Sequence, residues 1–255
     1  MEPLARVRIV MWEGASLWIV DAAQARIGET GRADFHSHHA IQISLALGGW
    51  FQLDTQDAHI RSEVAAVAAD TKHVINAEGL TGIVFIEPES AAGRAITRRL
   101  FAERELVAVE TETVGDFRER LAAASTTQDD QQLVGLGREL VSALSAGVTV
   151  SETDPRIRKV IAWAAKQIDQ PISLSDSLAV GGLSASRLRH LFVEQTGLPF
   201  KTYLLWLRLT RAVEVVAGGA SLTQAAHEAG FSDSAHFSRT FRRMFGVPAA
   251  ALRIF

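Results

Sequence analysis

Histidines and a glutamine at strand-like spacing are the first residues in the chain that could hold a ligand. His36 and His38 are separated by one residue, Gln42 follows, and His73 comes later. Alternate residues of a strand point to the same face, so the first two imidazoles can point together. Three imidazoles and one oxygen suit a divalent transition metal, whereas the same groups can also contact a small molecule in an apolar pocket. We expect the second use, in a small-molecule site that comprises His36, His38, Gln42, Gln52 and His73.

Polar and basic residues on the free face of a helix form a second candidate site. A helix-turn-helix needs a support helix, a tight turn that commonly contains glycine, and a recognition helix with one buried stripe. Residues 173–193 fit this pattern, with Ser173 and Ser184 as helix caps and Gly182 in the turn. Leu188 begins the buried stripe. The residues that fall off this stripe and could contact DNA are Ser186, Arg187, Arg189 and His190.

A second segment about fifty residues later repeats the pattern. In residues 221–245, Ser221 begins a capping box, Gly230 can form the turn, and Ser232 is the expected cap of the recognition helix. Phenylalanines recur every four residues from Phe237 onward, which predicts a buried face. The residues predicted to contact bases or phosphates are Ser234, Ala235, His236, Arg239, Arg242 and Arg243.

The segment between the two units predicts a long connecting helix over residues 199–217. A rigid connector could hold two recognition helices in consecutive major grooves, ~34 Å apart along one face of B-DNA. Arginine at such positions can bind guanine edges, with ~1–3 kcal/mol of discrimination for each good bidentate pair.

Charge is unevenly distributed along the 255 residues. Residues 151–255 hold 13 Lys/Arg and 8 Asp/Glu, while residues 1–150 hold 13 Lys/Arg and 21 Asp/Glu, although the whole chain has a net charge of −3. This asymmetry favours a basic nucleic-acid-binding module joined to an acidic domain.

Several classes of protein are excluded by composition. The chain has no cysteine, which excludes disulfides, thiolate metal sites and cysteine nucleophiles and fits a reducing cytoplasm. Cysteine-dependent methyl transfer for DNA repair is excluded with them. No apolar run reaches the ~18 residues of a membrane span, and the N-terminus lacks the features of a secretory signal. We therefore expect a cytoplasmic protein.

The remaining pattern predicts an α+β protein of two domains. Short apolar or alternating runs predict strands over 7–10, 16–20, 42–47, 50–53, 64–68 and 83–86, and helical spacing predicts helices over 93–107, 114–124 and 130–146. Everything after 155 is predicted to be helical. The predicted domains are a sensor and dimerisation domain over 1–146, a linker over 147–155, and a DNA-binding domain over 156–255 with subdomains 156–200 and 201–255.

Leucines at helical spacing form a stripe between Leu133 and Leu144 in the last of these three helices. The stripe could pair with its copy across a two-fold axis, or it could bury against the predicted sheet. Both alternatives stay open from the sequence.

The two helical units resemble the AraC/XylS family of transcription regulators. The resemblance covers about residues 155–253 and rests on LSASRLRHLF at 183–192 and AGFSDSAHFSRTFRRMFGVPAAALR at 229–253. It implies two helix-turn-helix subdomains joined by a long helix. The base-facing positions that it implies are Ser186, Arg189 and His190 in the first unit and Ser234, Ala235, His236 and Arg239 in the second.

This chain departs from that family pattern at two places. Ser177 and Leu178 stand where Leu-Ala is usual, which puts the packing of the first support helix in doubt. Ser234 and Ala235 are small, so the second unit would depend more on phosphate contacts than on base contacts.

Residues 1–90 resemble the cupin-like β-barrel that commonly precedes this DNA-binding domain. The motif is Gly31-x4-His36-x-His38-x3-Gln42-x6-Gly49, and His73 lies where a second cupin histidine would be. Enzymatic cupins usually carry Glu at the Gln42 position, and sensor domains of the family more often bind organic effectors without metal. We therefore expect no resident metal or cofactor.

The sequence thus predicts a non-enzymatic, effector-responsive transcription regulator. Its expected partners are double-stranded DNA, a small-molecule effector and a second copy of the chain, with RNA polymerase as a further candidate and no membrane. The alternative is a metal-dependent cupin enzyme with a helical appendage, in which His36, His38 and His73 would hold the metal.

Overall fold

The computed structural model describes residues 5–22 and 33–254. The chain divides into two compact units. The first comprises Met1–Val150 together with Phe241–Phe255, and the second comprises Ser151–Thr240. The predicted α+β class, with a mainly antiparallel sheet followed by a helical region, is confirmed.

A single eight-stranded sheet forms the centre of the first unit. Its strands are β1 Ala5–Trp12, β2 Ala15–Asp21, β3 Ile41–Asp54, β4 His59–Arg61, β5 Val64–Val67, β6 Val74–Ile86, β7 Leu106–Ala108 and β8 Leu252–Ile254. The order is β7-β5-β3-β6-β2-β1-β8, and β4 pairs with β3. All pairs are antiparallel except β1 with β8.

The two predicted strands 42–47 and 50–53 are one continuous strand, β3. It pairs with β6 from Ile41 opposite Ile86 to Asp54 opposite Val74, with a register shift between Ala46 and Gly48. Gly49 lies opposite Gly79 with a φ of 143°, and an added Cβ would overlap the Glu78 carbonyl oxygen. Gly49, which lies between the two predicted strands, therefore does not end the strand, and it allows the backbones of β3 and β6 to approach closely.

Four helices follow the first six strands in the chain. They are α1 Ala91–Leu100, α2 Thr111–Val114, α3 Phe117–Ser125 and α4 Asp130–Ser145. The predicted helix 93–107 is wrong beyond Leu100, because residues 106–108 form β7, which pairs with Val67 and its neighbours in β5 and buries Leu106. The predicted helix 114–124 is interrupted at Gly115, where φ is 53°.

The leucine stripe of α4 is part of the core of the first unit. Its members are all buried: Leu133, Leu136, Leu140, Val141 and Leu144. Gly137 lies among them, and an added Cβ would overlap the Trp12 ring. Of the two alternatives left open, the structure favours burial within this unit, since the stripe is already covered.

The helices after the predicted linker are α5 Pro155–Lys166, α6 Leu178–Gly181, α7 Ala185–Thr196, α8 Phe200–Ala217, α9 Leu222–Glu228 and α10 Ser234–Phe245. Asp154 caps α5, with its carboxylate accepting from the Arg156 N–H at 2.9 Å, and Pro155 takes the first helical position. The core of the second unit includes Ile157, Leu188, Phe192 and Tyr203.

The chain does not stay helical to its end, contrary to the prediction. After α10 and a short 3-10 turn at Ala249–Ala251, residues 252–254 run parallel to β1, with Leu252 paired with Ala5. The partner strand is about 250 residues away in sequence, so no local pattern indicates this pairing. In the described part of the chain, no helix is long and apolar enough to cross a membrane.

Candidate nucleic-acid interface and candidate histidine site

The first helix-turn-helix has a short support element. A 3-10 turn at Leu174–Ser177, with the predicted capping box between Ser173 and Asp176, leads into the single-turn α6. The Ser177 hydroxyl is buried and donates to the Leu174 carbonyl oxygen at 2.8 Å. A hydroxyl that bonds its own turn can be buried here, which accounts for serine at the position where the sequence put packing in doubt.

The turn and the recognition helix of this unit have the predicted geometry. Gly182 is left-handed, with a φ of 60°, and Ser184 caps α7 by accepting from the Arg187 N–H. Leu188 and the other stripe residues face the core. The predicted DNA-contacting side chains all lie on the exposed side of α7: Ser186, Arg187, Arg189 and His190.

Within the second unit, an arginine of the connecting helix bonds the segment that follows α5. Arg208 on α8 donates through Nε to the Ile168 carbonyl oxygen at 3.1 Å and through Nη2 to the Gln170 carbonyl oxygen at 2.8 Å. Gly230, the turn glycine, has a φ of 73°, and an added Cβ would overlap the same Ile168 carbonyl. The second turn therefore packs directly on the segment that follows α5.

The cap of α10 is Asp233, and the predicted cap Ser232 is wrong. The Asp233 carboxylate accepts from the backbone N–H of His236 at 2.6 Å, while the Ser232 hydroxyl donates to that carboxylate at 3.1 Å. A carboxylate bonds a helix N-terminus more strongly than a hydroxyl does, because it also interacts favourably with the helix dipole.

The predicted contact residues of α10 differ in exposure. Ala235, Arg239, Arg242 and Arg243 are exposed, whereas Ser234 and His236 are half-buried. The ring of His236 packs edge-on against Phe231, with centroids 5.2 Å apart. Arg242 forms an ion pair with Asp34 of the first unit at 2.8 Å, a contact that the sequence pattern did not indicate.

The three histidines of the predicted effector site come together in the first unit. His36 and His73 form a backbone bridge, with each N–H donating to the other's carbonyl oxygen at 2.9 Å. His36, His38 and His73 are all buried, and one ring nitrogen of each lies within 4.8 Å of those of the other two. Oε1 of Gln42 lies 3.1 Å from Nε2 of His38 and 3.2 Å from Nε2 of His73.

Each of these imidazoles is oriented by a carbonyl oxygen two residues away. Nδ1 of His36 lies 2.9 Å from the Asp34 carbonyl oxygen, Nδ1 of His38 lies 3.1 Å from that of Ala40, and Nδ1 of His73 lies 2.9 Å from that of Thr71. A carbonyl oxygen only accepts, so each Nδ1 is the donor and the lone pair of each ring is on Nε2.

Burial keeps these three rings neutral. Desolvation lowers the pKa of His36, and desolvation with the neighbouring histidines lowers the pKa of His38 well below its ordinary range. Burial and the nearby His36 lower the pKa of His73 to about 4. His39 differs: burial alone would lower its pKa, but the hydrogen bond that its ring donates to the Asp70 carboxylate and the nearby Glu89 raise it to about 9.

Gln52 does not join this group. It lies ten residues beyond Gln42 on β3, where its amide donates to the Asp54 carboxylate at 2.8 Å. A strand rises by about 3.3 Å per residue, which places Gln52 about 30 Å from Gln42 along β3. The structure thus brings together four of the five predicted effector-site residues.

Comparison with known proteins gives matches of two kinds. Residues 179–253 match a family model described as a helix-turn-helix domain. The HTH-type transcriptional activator RhaS of Citrobacter koseri is 33% identical over 143 residues, which cover 56% of this chain and 50% of RhaS. The chain therefore spans about half the length of this curated relative.

Solved structures of ToxT from Vibrio cholerae share the fold. The structure from strain O395 has a TM-score of 0.56 at 12% identity, covering 86% of this chain and 90% of ToxT. The structure of ToxT from strain SCE256 with a bound unsaturated fatty acid has a TM-score of 0.53 at 12% identity. The match covers 93% of this chain and 95% of ToxT. The matched residues 179–253 contain both recognition helices and both turn glycines described above, so this part of the chain is a helix-turn-helix domain.

Proposed function

We propose that the chain is a sequence-specific, DNA-binding transcription regulator that responds to an effector bound in its first unit. The observation that carries this proposal is the pair of recognition helices, α7 and α10, each with an exposed arginine on the face opposite its buried stripe: Arg189 and Arg239. The naming of RhaS as a transcriptional activator supports the same function.

The proposed roles of the interface residues follow from exposure. Ser186, Arg189 and His190 on α7 contact base edges, and Ala235 and Arg239 do so on α10. Arg187 and Arg243 contact phosphates, because both are exposed and lie beside these faces. The half-buried Ser234 and His236 would contribute less, so α10 would discriminate bases mainly through Arg239.

The test is fluorescence anisotropy of the full chain with duplexes from the DNA upstream of its own gene. Binding should weaken steeply with salt, since phosphate contacts release counterions. Arg189→Ala and Arg239→Ala should each weaken binding to the preferred duplex, while Arg138→Ala, an exposed arginine of α4 in the other unit, should not. Absence of duplex binding at low salt would overturn the proposal.

The proposal also includes a bound effector, a dimeric assembly and a cytoplasmic location. The fatty acid bound in a structure of ToxT supports a small-molecule effector, and we propose that its contacts are the buried cluster of the first unit: His36, His38, Gln42 and His73. We propose a homodimer whose interface is not the covered stripe of α4, and RNA polymerase as a further partner. A regulator of this kind acts in the cytoplasm and has no catalytic role, as its relatives are transcription regulators.

A further inference from the structure

We propose that the effector is a divalent transition metal ion, bound by the Nε2 atoms of His36, His38 and His73 and by Oε1 of Gln42. This inference rests on the proposed function, because it names the signal to which the regulator responds. The sequence alone favoured an organic effector, since an amide is a weaker ligand than a carboxylate. The geometry of the side chains reverses that preference.

The donor atoms are already close to the spacing of a coordination sphere. Metal–nitrogen distances of about 2.0–2.1 Å place neighbouring ligand atoms about 3 to 4 Å apart. The three imidazoles have nitrogens within 4.8 Å of one another, and Oε1 of Gln42 lies 3.1 and 3.2 Å from two of them. Shifts of about an ångström would complete the sphere. A set of three imidazoles and one neutral oxygen suits zinc, cobalt or nickel rather than calcium or magnesium.

The hydrogen bonds behind the rings match those behind metal-bound histidines. Ligating histidines donate their second nitrogen to a carbonyl or carboxylate oxygen, which fixes the tautomer and raises the basicity of the ligating nitrogen. All three Nδ1 atoms have such a carbonyl partner, at Asp34, Ala40 and Thr71.

The orientation of Gln42 makes a cation more favourable still. The Gln42 amide nitrogen donates to the Ser44 hydroxyl at 3.0 Å, which turns Oε1 toward His38 and His73. Lone pairs on Oε1 and on the two Nε2 atoms then face one another, and they repel unless a cation lies among them. If the amide were turned over, it would donate to those two nitrogens without a metal, but it would serve only two of the three imidazoles. Metal titration separates the two arrangements.

A connected set of contacts links the site to the end of α10. The Asp34 carbonyl oxygen accepts from His36, the Asp34 backbone N–H donates to the Gly246 carbonyl oxygen at 2.8 Å, and the Asp34 carboxylate pairs with Arg242. An added Cβ on Gly246 would lie 2.5 Å from both Nδ1 of His36 and the Asp34 carbonyl oxygen. The ring of Phe245 lies 5.9 Å from that of His38. A metal that repositions His36 therefore acts on residues at the end of the second recognition helix, within the first unit.

The first experiment measures metal binding to the full chain after removal of metal with a chelator. Cobalt(II) should bind with one equivalent and give the visible absorption of a four-coordinate ion, and zinc should displace it and raise Tm by mass action. His36→Ala and His73→Ala should each weaken binding by on the order of 100-fold. His59→Ala, an exposed histidine of β4, should leave binding unchanged.

Gln42→Glu keeps the folded chain testable if an alanine variant fails to fold. A carboxylate at this position adds a negative charge to the ligand set, so cobalt should bind about tenfold more tightly or better and its visible spectrum should shift. Absence of binding to the parent chain, or binding that survives His36→Ala in a folded protein, would overturn the metal site.

The second experiment measures DNA affinity with and without one equivalent of zinc. Zinc should change the Kd for the preferred duplex at least about fivefold, the lower end of ordinary allosteric coupling. Asp34→Asn removes the pair with Arg242 and keeps the backbone bonds of residue 34, so this variant should still bind cobalt but should lose part of this change. An unchanged Kd in a protein that binds both zinc and DNA would overturn the metal as effector while the DNA-binding function stands. Stoichiometric metal binding without any duplex binding would overturn the proposed function instead.

Discussion

The two recognition helices have the same length of 12 residues, but their caps and their surroundings differ. α7 lies wholly in the second unit, and its four predicted contact residues are exposed. α10 begins in the second unit, while Phe241 and the residues after it belong to the first. The difference teaches that one helix belongs only to the helical unit, whereas the other also forms part of the unit that holds the histidine cluster.

Loss of a buried ring should have the largest effect and should show which unit each helix stabilises. Phe192→Ala on α7 and Phe241→Ala on α10 should each lower the free energy of unfolding by ~3–5 kcal/mol, because both rings are buried, the second against Trp18. Chemical denaturation followed by tryptophan fluorescence measures this. Val193→Ala, on the exposed side of α7, should change it by less than ~0.5 kcal/mol. A stable Phe241→Ala variant would show that the assigned buried face of α10 is wrong.

Alanine at the two turn glycines should have the second largest effect, and the loss of stability should differ between them. Gly230→Ala should cost ~2–5 kcal/mol, because it combines left-handed strain with overlap of the Ile168 carbonyl. Gly182→Ala should cost only ~1–2 kcal/mol, since nothing lies within 4 Å of the added Cβ and only the φ of 60° is strained. Thermal unfolding of both variants tests the order. Equal costs would mean that the second turn can move away from residue 168.

The two arginines proposed to contact bases should each have a smaller effect, which is measured on DNA affinity and not on stability. Arg189→Ala and Arg239→Ala should each cost ~1–3 kcal/mol at the base pair that each contacts and should relax specificity there. Competition binding with single-base variants of the preferred duplex is the measurement. If Arg239→Ala weakens all duplexes equally, Arg239 contacts phosphate and α7 alone discriminates bases.

The ion pair between Arg242 and Asp34 should have the smallest effect on stability. Both side chains are more than half exposed, so Asp34→Asn should lower the free energy of unfolding by ~0–1 kcal/mol, and added salt should reduce the difference further. Denaturation at low and high salt measures it. A larger or salt-independent loss would show that this pair stabilises the fold more than an exposed ion pair does.

Local chemistry predicts much of this fold, because caps and turns depend on neighbouring residues. Ser184, Ser221 and Gly182 each act as the sequence indicates. Ser232 was the wrong cap because the adjacent Asp233 competes for the same N–H groups and binds them more strongly.

Long-range pairing is what the sequence could not indicate. β7 and β8 are three-residue strands that exist only through distant partners, β5 and β1. The approach of His36, His38 and His73 was predicted, but the exclusion of Gln52 depends on the length of β3, which the sequence divided into two strands. The pair between Asp34 and Arg242, 208 residues apart, has no local signal at all.

The assignment of residues 241–255 to the first unit affects how this protein should be dissected. A fragment that ends at residue 150 would lack the rings that pack on Trp18, the backbone bond at Asp34 and the neighbour of β1. Such a fragment would expose apolar surface and an unpaired strand edge, and both promote aggregation. Ligand affinities measured on it would describe an incomplete unit, so the intact polypeptide is the right material for testing the proposed effector.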